Sequence, residues 1–436
     1  MSLLNVDKVD PQTGTTLELG TSGDTITVPT GAGLTVVDEV KTNKVSPATG
    51  TAFALGDSGD TFTVPSGATI VNSGTATGFG ITAASFSPLA QAVIINGDMA
   101  VSQRSTSVTG IDATENCQTV DRWSQWLSTA GTWTQTQEAM SVADYNTTGF
   151  KKAWKWDCTT ANASLSAGSY FQISYRMEGN TVQMFKKGTT TAEAYTLAFW
   201  VKSTKTGTFI GELYDVTNER AISVAYTVDT TNTWEKKVLN FVADTNGETI
   251  DDSTDREFVI YFGVSVGTNF TSGTLNTAWN DDSGITANRY VGQVNCADST
   301  SNNFHMTGVQ LEVGTYTSST IPPFQHESYA DNLRRCQRYY QTFGKGVIGK
   351  CRSTSAGTVV MPFPVTMRAT PTCTVITGAN TIADPGVSDY QITSLGSNSS
   401  GFQGLFIAIN TNGGTADGFY FGSVDKVGDV DAEFNF

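Results

Sequence analysis

Thr196-Leu197-Ala198-Phe199-Trp200-Val201-Lys202 decides the fold class. Leu197, Phe199 and Val201 share one face of this stretch, and a period of two is the signature of a half-buried β-strand. The same period recurs outward from it. Residues 208–214 follow after a Lys-Thr-Gly turn, and Trp234 opens a strand that runs through Val238 and Phe241. Phe258, Ile260, Phe262, Val264 and Val266 share one parity of the next strand, and Val309, Leu311 and Val313 that of the last. Alternating strands separated by loops rich in Asn, Asp, Gly and Thr predict antiparallel sheets packed face to face. The expectation is a jelly-roll-like β-sandwich over residues 91–326.

Composition agrees. A chain of 436 residues exceeds one ordinary core. Only 15 % of it is charged while 43 positions are Gly, which suits many short strands and turns better than helices. With 26 basic against 41 acidic residues the net charge is −15, so a nucleic-acid backbone or an anionic membrane would be repelled. Residues 1–6 carry neither a basic nor an apolar leader segment, which reads as no signal peptide, and no apolar run is long enough to span a membrane. The six cysteines form no C-x-x-C pair and read as reduced small hydrophobes. Two histidines, His305 and His326, leave little room for a His-based metal cluster or a Ser-His-Asp triad.

The first eighty residues repeat. Lys8-Val9-Asp10-Pro11 returns as Lys44-Val45-Ser46-Pro47, and Gly23-Asp24-Thr25-Ile26-Thr27-Val28-Pro29 as Gly59-Asp60-Thr61-Phe62-Thr63-Val64-Pro65. Roughly 17 of 28 positions are identical at an offset of about 36. Each unit has too few apolar side chains to close a core alone. Two readings remain open: a homotrimeric β-rich stem that completes its interior from sister chains, or a flexible Thr/Gly linker. The units are residues 1–40, a first repeat, and 41–90, a second repeat with a linker.

Several segments resemble those of bacteriophage tail-fibre and tail-spike proteins. They are Ile95-Asn96-Gly97-Asp98-Met99-Ala100-Val101-Ser102-Gln103-Arg104 and Thr119-Val120-Asp121-Arg122-Trp123 at the domain entry. At its exit stand Gly308-Val309-Gln310-Leu311-Glu312-Val313-Gly314 and Pro323-Phe324-Gln325-His326-Glu327-Ser328-Tyr329. Arg335-Cys336-Gln337-Arg338-Tyr339-Tyr340, the segment 363–372 and Asp431-Ala432-Glu433-Phe434 complete the set. The repeat style of residues 1–80 resembles fibres of marine phages. The resemblance implies a virion fibre whose sandwich is of carbohydrate-binding type, attached to other virion proteins through the N-terminal repeats. Trp200 and Trp234 sit where carbohydrate-binding jelly rolls often carry strand tryptophans.

From Glu327 to Phe343 the pattern predicts one helix. Tyr329, Leu333, Cys336, Tyr340 and Phe343 step by 4, 3, 4 and 3, a heptad seam that must pack on something. It faces either partner chains across a threefold axis, as a trimerisation helix over 327–343, or its own sandwich. Residues 344–436 return to short strands and predict a C-terminal β-sandwich tip. The whole is an all-β homotrimeric fibre of stem, sandwich, short helix and tip.

Candidate chemistry is sparse. The Asp251/Asp252/Asp255 and Asp281/Asp282 clusters lie in loop-like sequence, where solvated turn residues are the default and neither a glycosidase acid pair nor EF-hand spacing is evident. A family-specific calcium site is the remaining cofactor option; otherwise none is expected. Trp126 and Trp133 are read as exposed tryptophans able to stack on a sugar, with Asp281 and Asp282 as polar partners. Trp123 is read as core. The preferred function is a non-enzymatic fibre that recognises a bacterial surface glycan. The alternatives are a purely structural head or tail fibre and a tail-spike polysaccharide depolymerase.

Overall fold

The computed structural model describes residues 92–115, 117–281, 286–343, 348–353, 356–375, 381–383, 390–401, 404–411, 419–422, 428–431 and 433. The stem repeats and Asp282 lie outside them.

The chain is all β. Eleven strands, β1 (Ser107–Glu115), β2 (Trp123–Ala139), β3 (Lys152–Thr160), β4 (Tyr170–Glu178), β5 (Tyr195–Ser203), β6 (Gly207–Asp215), β7 (Arg220–Val228), β8 (Glu235–Phe241), β9 (Arg256–Val266), β10 (Asn280–Asp281) and β11 (Asn303–Val313), form one antiparallel sheet that curls into a sandwich. The long strand β2 joins the layers. Its first half pairs with β4 in the front layer (β10-β7-β6-β9-β4) and its second with β3 in the back layer (β3-β11-β5-β8). A short helix, α1 (Val142–Thr148), follows β2 and is capped by Ser141.

Alternation explains the core. Leu197, Phe199 and Val201 of β5 are buried, as are Phe258, Ile260, Phe262 and Val264 of β9. Across the layers the rings of Phe199 and Phe262 meet edge to face at 4.9 Å, and Trp156 meets Phe171 at 5.0 Å. Trp123 is core, its indole N–H donating to the Asn96 carbonyl at 3.1 Å. Val266 departs from the expected parity. Phe171 opposes Ser265 but Gln172 opposes Gly263, so Val264 is an extra residue and the β-bulge turns Val266 to the outer face.

Beyond the sandwich, α2 (Tyr329–Gln337) is capped by Ser328, whose hydroxyl accepts from the Asp331 N–H. The expected helix over 327–343 ends early. Tyr340–Phe343 is a strand, β12. The remaining strands are β13 (Ile348–Ser353), β14 (Ala356–Pro362), β15 (Thr372–Val375), β16 (Thr381–Ala383), β17 (Tyr390–Gly401), β18 (Gly404–Thr411), β19 (Phe419–Gly422) and β20 (Gly428–Asp431). Strands β12, β20 and β15 make a three-stranded sheet, and β13, β14, β18, β17, β16 and β19 close as a six-stranded barrel where a sandwich was expected over residues 344–436.

The heptad seam faces its own sandwich. Cys336 is 1 % exposed within the main core cluster, and Leu333 packs on that cluster. Tyr340 is buried with the Arg104 guanidinium 3.6 Å above its ring. Tyr329, at 61 % exposure, is the seam residue that reaches solvent, and the Phe343 side chain is outside the described residues. Leu333, Cys336 and Tyr340 of the seam thus pack within their own chain, the second of the two arrangements expected.

The segments that resemble phage fibres converge at this junction. Gln103 donates to Asp121 and to the Tyr340 carbonyl, and Arg104 pairs with Asp431 at 2.9 Å. Arg122 pairs with Glu433, donates to the Arg176 carbonyl at 2.6 Å, and lies 3.4 Å over the Tyr339 ring. Glu178 receives the Arg338 fork at 2.8 and 2.6 Å together with the Tyr339 hydroxyl. Gly97 fits for a steric reason: a Cβ there would lie 2.2 Å from the Val309 carbonyl oxygen, a backbone atom that cannot swing away. These residues join sandwich, helix and C-terminal segment.

Candidate functional site

A half-buried strand is expected to show solvent a polar face. The front layer does not. Its strands alternate so that Phe171 and Ile173 of β4, Ile260 and Phe262 of β9 and Phe209 and Leu213 of β6 point into the core. The opposite parity sends Tyr170, Tyr261 and Tyr214 outward, together with Trp126 of β2. These rings form a second apolar cluster on the outer face, with the strand residues Ile210, Val259 and Val266 buried in it and Phe270 packed at its edge. The loop after β9 carries Phe270 and Tyr290 over the face, pinned by the Tyr290 N–H donating to the Phe270 carbonyl at 2.9 Å.

Between the rings lies a cleft of about 310 Å³, walled by Trp126, Tyr170, Tyr214, Tyr261 and Phe270. Trp126 stands 6.5 Å from Tyr170 and 6.3 Å from Tyr261, and Tyr214 stands 6.3 Å from Tyr261. The polar groups on the wall include Gln172, Glu219, Arg256 and Arg289. Rings offer flat apolar faces, and the polar groups offer both donors and acceptors.

One buried ion pair sets the geometry. Glu212 points outward from β6 with 0 % side-chain exposure, and the Arg289 fork holds it through Nε at 2.8 Å and through Nη2. The Tyr290 hydroxyl donates to the same carboxylate at 3.2 Å. The guanidinium also lies 5.3 Å from the Tyr214 ring and 5.7 Å from the Tyr261 ring, which fixes both aromatics. Burial pushes the Tyr261 hydroxyl above the usual tyrosine range, so it stays protonated and can donate.

The predicted ligand residues divide. Trp126 lies in the cleft. Trp133 does not: it is 0 % exposed, its N–H donates to the Ala130 carbonyl at 2.8 Å, and its ring stands 4.8 Å from Phe171 in the core. Trp126 lies on the half of β2 that pairs with β4 and Trp133 on the half that pairs with β3, and the positive-φ residues Thr129 and Gly131 break the strand's alternation between them. Asp281 is exposed on the edge strand β10, opposite Arg220, and is not among the cleft-lining residues. Asp251, Asp252 and Asp255 are exposed, and the Asp251 carbonyl accepts from Gln183 at 2.9 Å. Among the described residues no three His, Cys, Asp or Glu side chains converge as a metal site would require. Sequence reasoning missed Tyr170, Tyr214, Tyr261, Arg256 and Arg289. The available signal was Val259-Ile260-Tyr261-Phe262, a run apolar on both parities, which marks a strand covered on both faces.

No protein-family model matches the chain, and no curated protein matches it. Among solved structures it is similar to the enzymatically active domain of bacteriophage CBA120 tailspike protein 4, at 11 % identity and a TM-score of 0.25, over 51 % of this chain and 21 % of that one. It is also similar to a proposed sugar-binding protein of Bacteroides thetaiotaomicron, at 12 % identity and a TM-score of 0.28, over 51 % of this chain and 100 % of that one. A family 11 carbohydrate-binding module of a Clostridium thermocellum cellulosomal cellulase matches at 10 % identity and a TM-score of 0.24, over 48 % of this chain and 99 % of that one.

Proposed function

We propose that the protein is a virion fibre that binds a bacterial surface glycan, with the outer face of the front sheet as its binding site. The observation that carries the reading is the aromatic cleft. Four strand-borne rings, Trp126, Tyr170, Tyr214 and Tyr261, stand on a rigid sheet with Gln172, Glu219 and Arg256 between them. Rings stack on the C–H faces of pyranoses while polar groups take the hydroxyls. Trp126→Ala removes one wall without opening the core, so retention of the protein on host polysaccharide in affinity electrophoresis is expected to disappear while the melting temperature stays within a degree or two. Retention equal to wild type would remove the cleft from the mechanism.

Binding without cleavage is part of the proposal. Glycosidases of the usual kind use two carboxyl groups flanking the bond. Among the described residues lining the cleft the carboxylate is Glu219, and Glu212 beneath it is held by Arg289. The fibre itself is supported by the N-terminal repeats and by the segments that resemble phage fibres. Single saccharide sites of millimolar strength, about −4 kcal/mol, gain roughly 10²- to 10⁴-fold when several are linked, which gives trimerisation a purpose. With the α2 seam occupied in its own chain, the proposed trimer forms through the stem repeats. Light scattering of the full chain is expected to give three times 46.4 kDa, and a mass of one chain would contradict the fibre.

A further inference from the structure

The charge on the cleft wall narrows the ligand class. Strand β9 bulges at its start: Met177 opposes Phe258 but Glu178 opposes Arg256, leaving Glu257 as the extra residue. Bulges re-aim side chains, and this one sets Arg256 on the cleft wall. The carboxylate opposite Arg256 in register, Glu178, is already taken by Arg338 and Tyr339, and the buried carboxylate Glu212 by Arg289 and Tyr290. Arg256 is thus left without an ion pair among the described residues, and its Nη1 is covered from solvent with no hydrogen-bond partner there. The side chain as a whole is half-buried and lines the cleft, so an incoming anion can give the guanidinium the charge-assisted bond that it lacks within the described residues. Nearby, burial pulls the Arg176 guanidinium down to about 10, and the positive charge of Arg256 adds to that lowering.

We infer that the cleft selects an anionic saccharide, one bearing a carboxylate, sulfate or phosphate, and that Arg256 receives its acidic group. The inference rests on saccharide binding at this cleft and names its class. The net charge of −15 does not oppose it. Charges farther than about 8 Å are screened at physiological salt, so the ligand meets the charges of the cleft itself: Glu219 against it, Arg289 engaged by Glu212, and Arg256 for it.

The test uses the full chain against polygalacturonate, alginate and hyaluronate, each beside its carboxyl-reduced neutral counterpart. At least one acidic polymer is expected to bind about tenfold or more tightly than its neutral form, as a charge-assisted bond would give. Arg256→Gln is expected to bring that ratio near one, whatever it does to the neutral form alone, and Arg256→Lys to restore part of the ratio. The wild-type ratio needs no variant, so the test survives a variant that does not fold. Equal binding of acidic and neutral forms, lost in Trp126→Ala, would overturn the inference and leave saccharide binding standing. Binding that survives Trp126→Ala, or retention of no polymer, would count against both.

Discussion

Arg122→Ala is expected to destabilise the protein by about 3–5 kcal/mol, seen as a shifted urea midpoint in the fluorescence of the buried tryptophans. Arg122 and Glu433 are both buried and pair across 311 positions of sequence. Removing the arginine leaves a carboxylate inside the protein with its counter-charge gone. It also strips the Arg176 carbonyl of its donor and the Tyr339 ring of the cation 3.4 Å above it. The cost comes from the abandoned charge, so a double variant separates it from lost packing. Arg122→Met with Glu433→Leu puts apolar groups on both sides and is expected to recover most of the loss. If Arg122→Ala shifts the midpoint by less than about 1 kcal/mol, this junction is not what ties the C-terminal segment to the sandwich.

Trp133→Ala is expected to cost about 3–5 kcal/mol, the usual range for emptying a fully buried tryptophan site. The surrounding rings cannot collapse to fill it, because Trp156 and Phe171 are held by their own strands in opposite layers. The comparison with Trp126→Ala is the informative part. Both residues lie on β2, yet one substitution should act on stability and the other on ligand retention. Equal stability losses for the two would mean that the outer aromatic cluster is a second core and not a site.

These contrasts show where the sequence was legible. The inward sets Leu197/Phe199/Val201 and Phe258/Ile260/Phe262/Val264 declare a strand by themselves, because burial of alternate residues is a local property. Trp123 as core was legible for the same reason. The end of α2 was not. Tyr340 and Phe343 continue a helical spacing, but they pair with Asp431 and Gly428 some ninety residues on, and Arg338 and Tyr339 are drawn to Glu178. Such partners leave no trace in local periodicity. Bulges are equally silent: one extra residue at Val264 reverses Val266, and one at Glu257 aims Arg256. The cleft draws single side chains from β2, β4, β6 and β9 and from the following loop, so no short motif spells it. The segments whose sequence resembles phage fibres supply the junction, and none of them lines the cleft.

The most direct measurement is a structure of the full chain with an oligosaccharide bound. The ring of a sugar is expected against Trp126 and Tyr261 on the front layer, with an oxygen of the ligand at Arg256. Sugar density over Trp200 and Trp234 on the back layer, with the front cleft empty, would contradict the account.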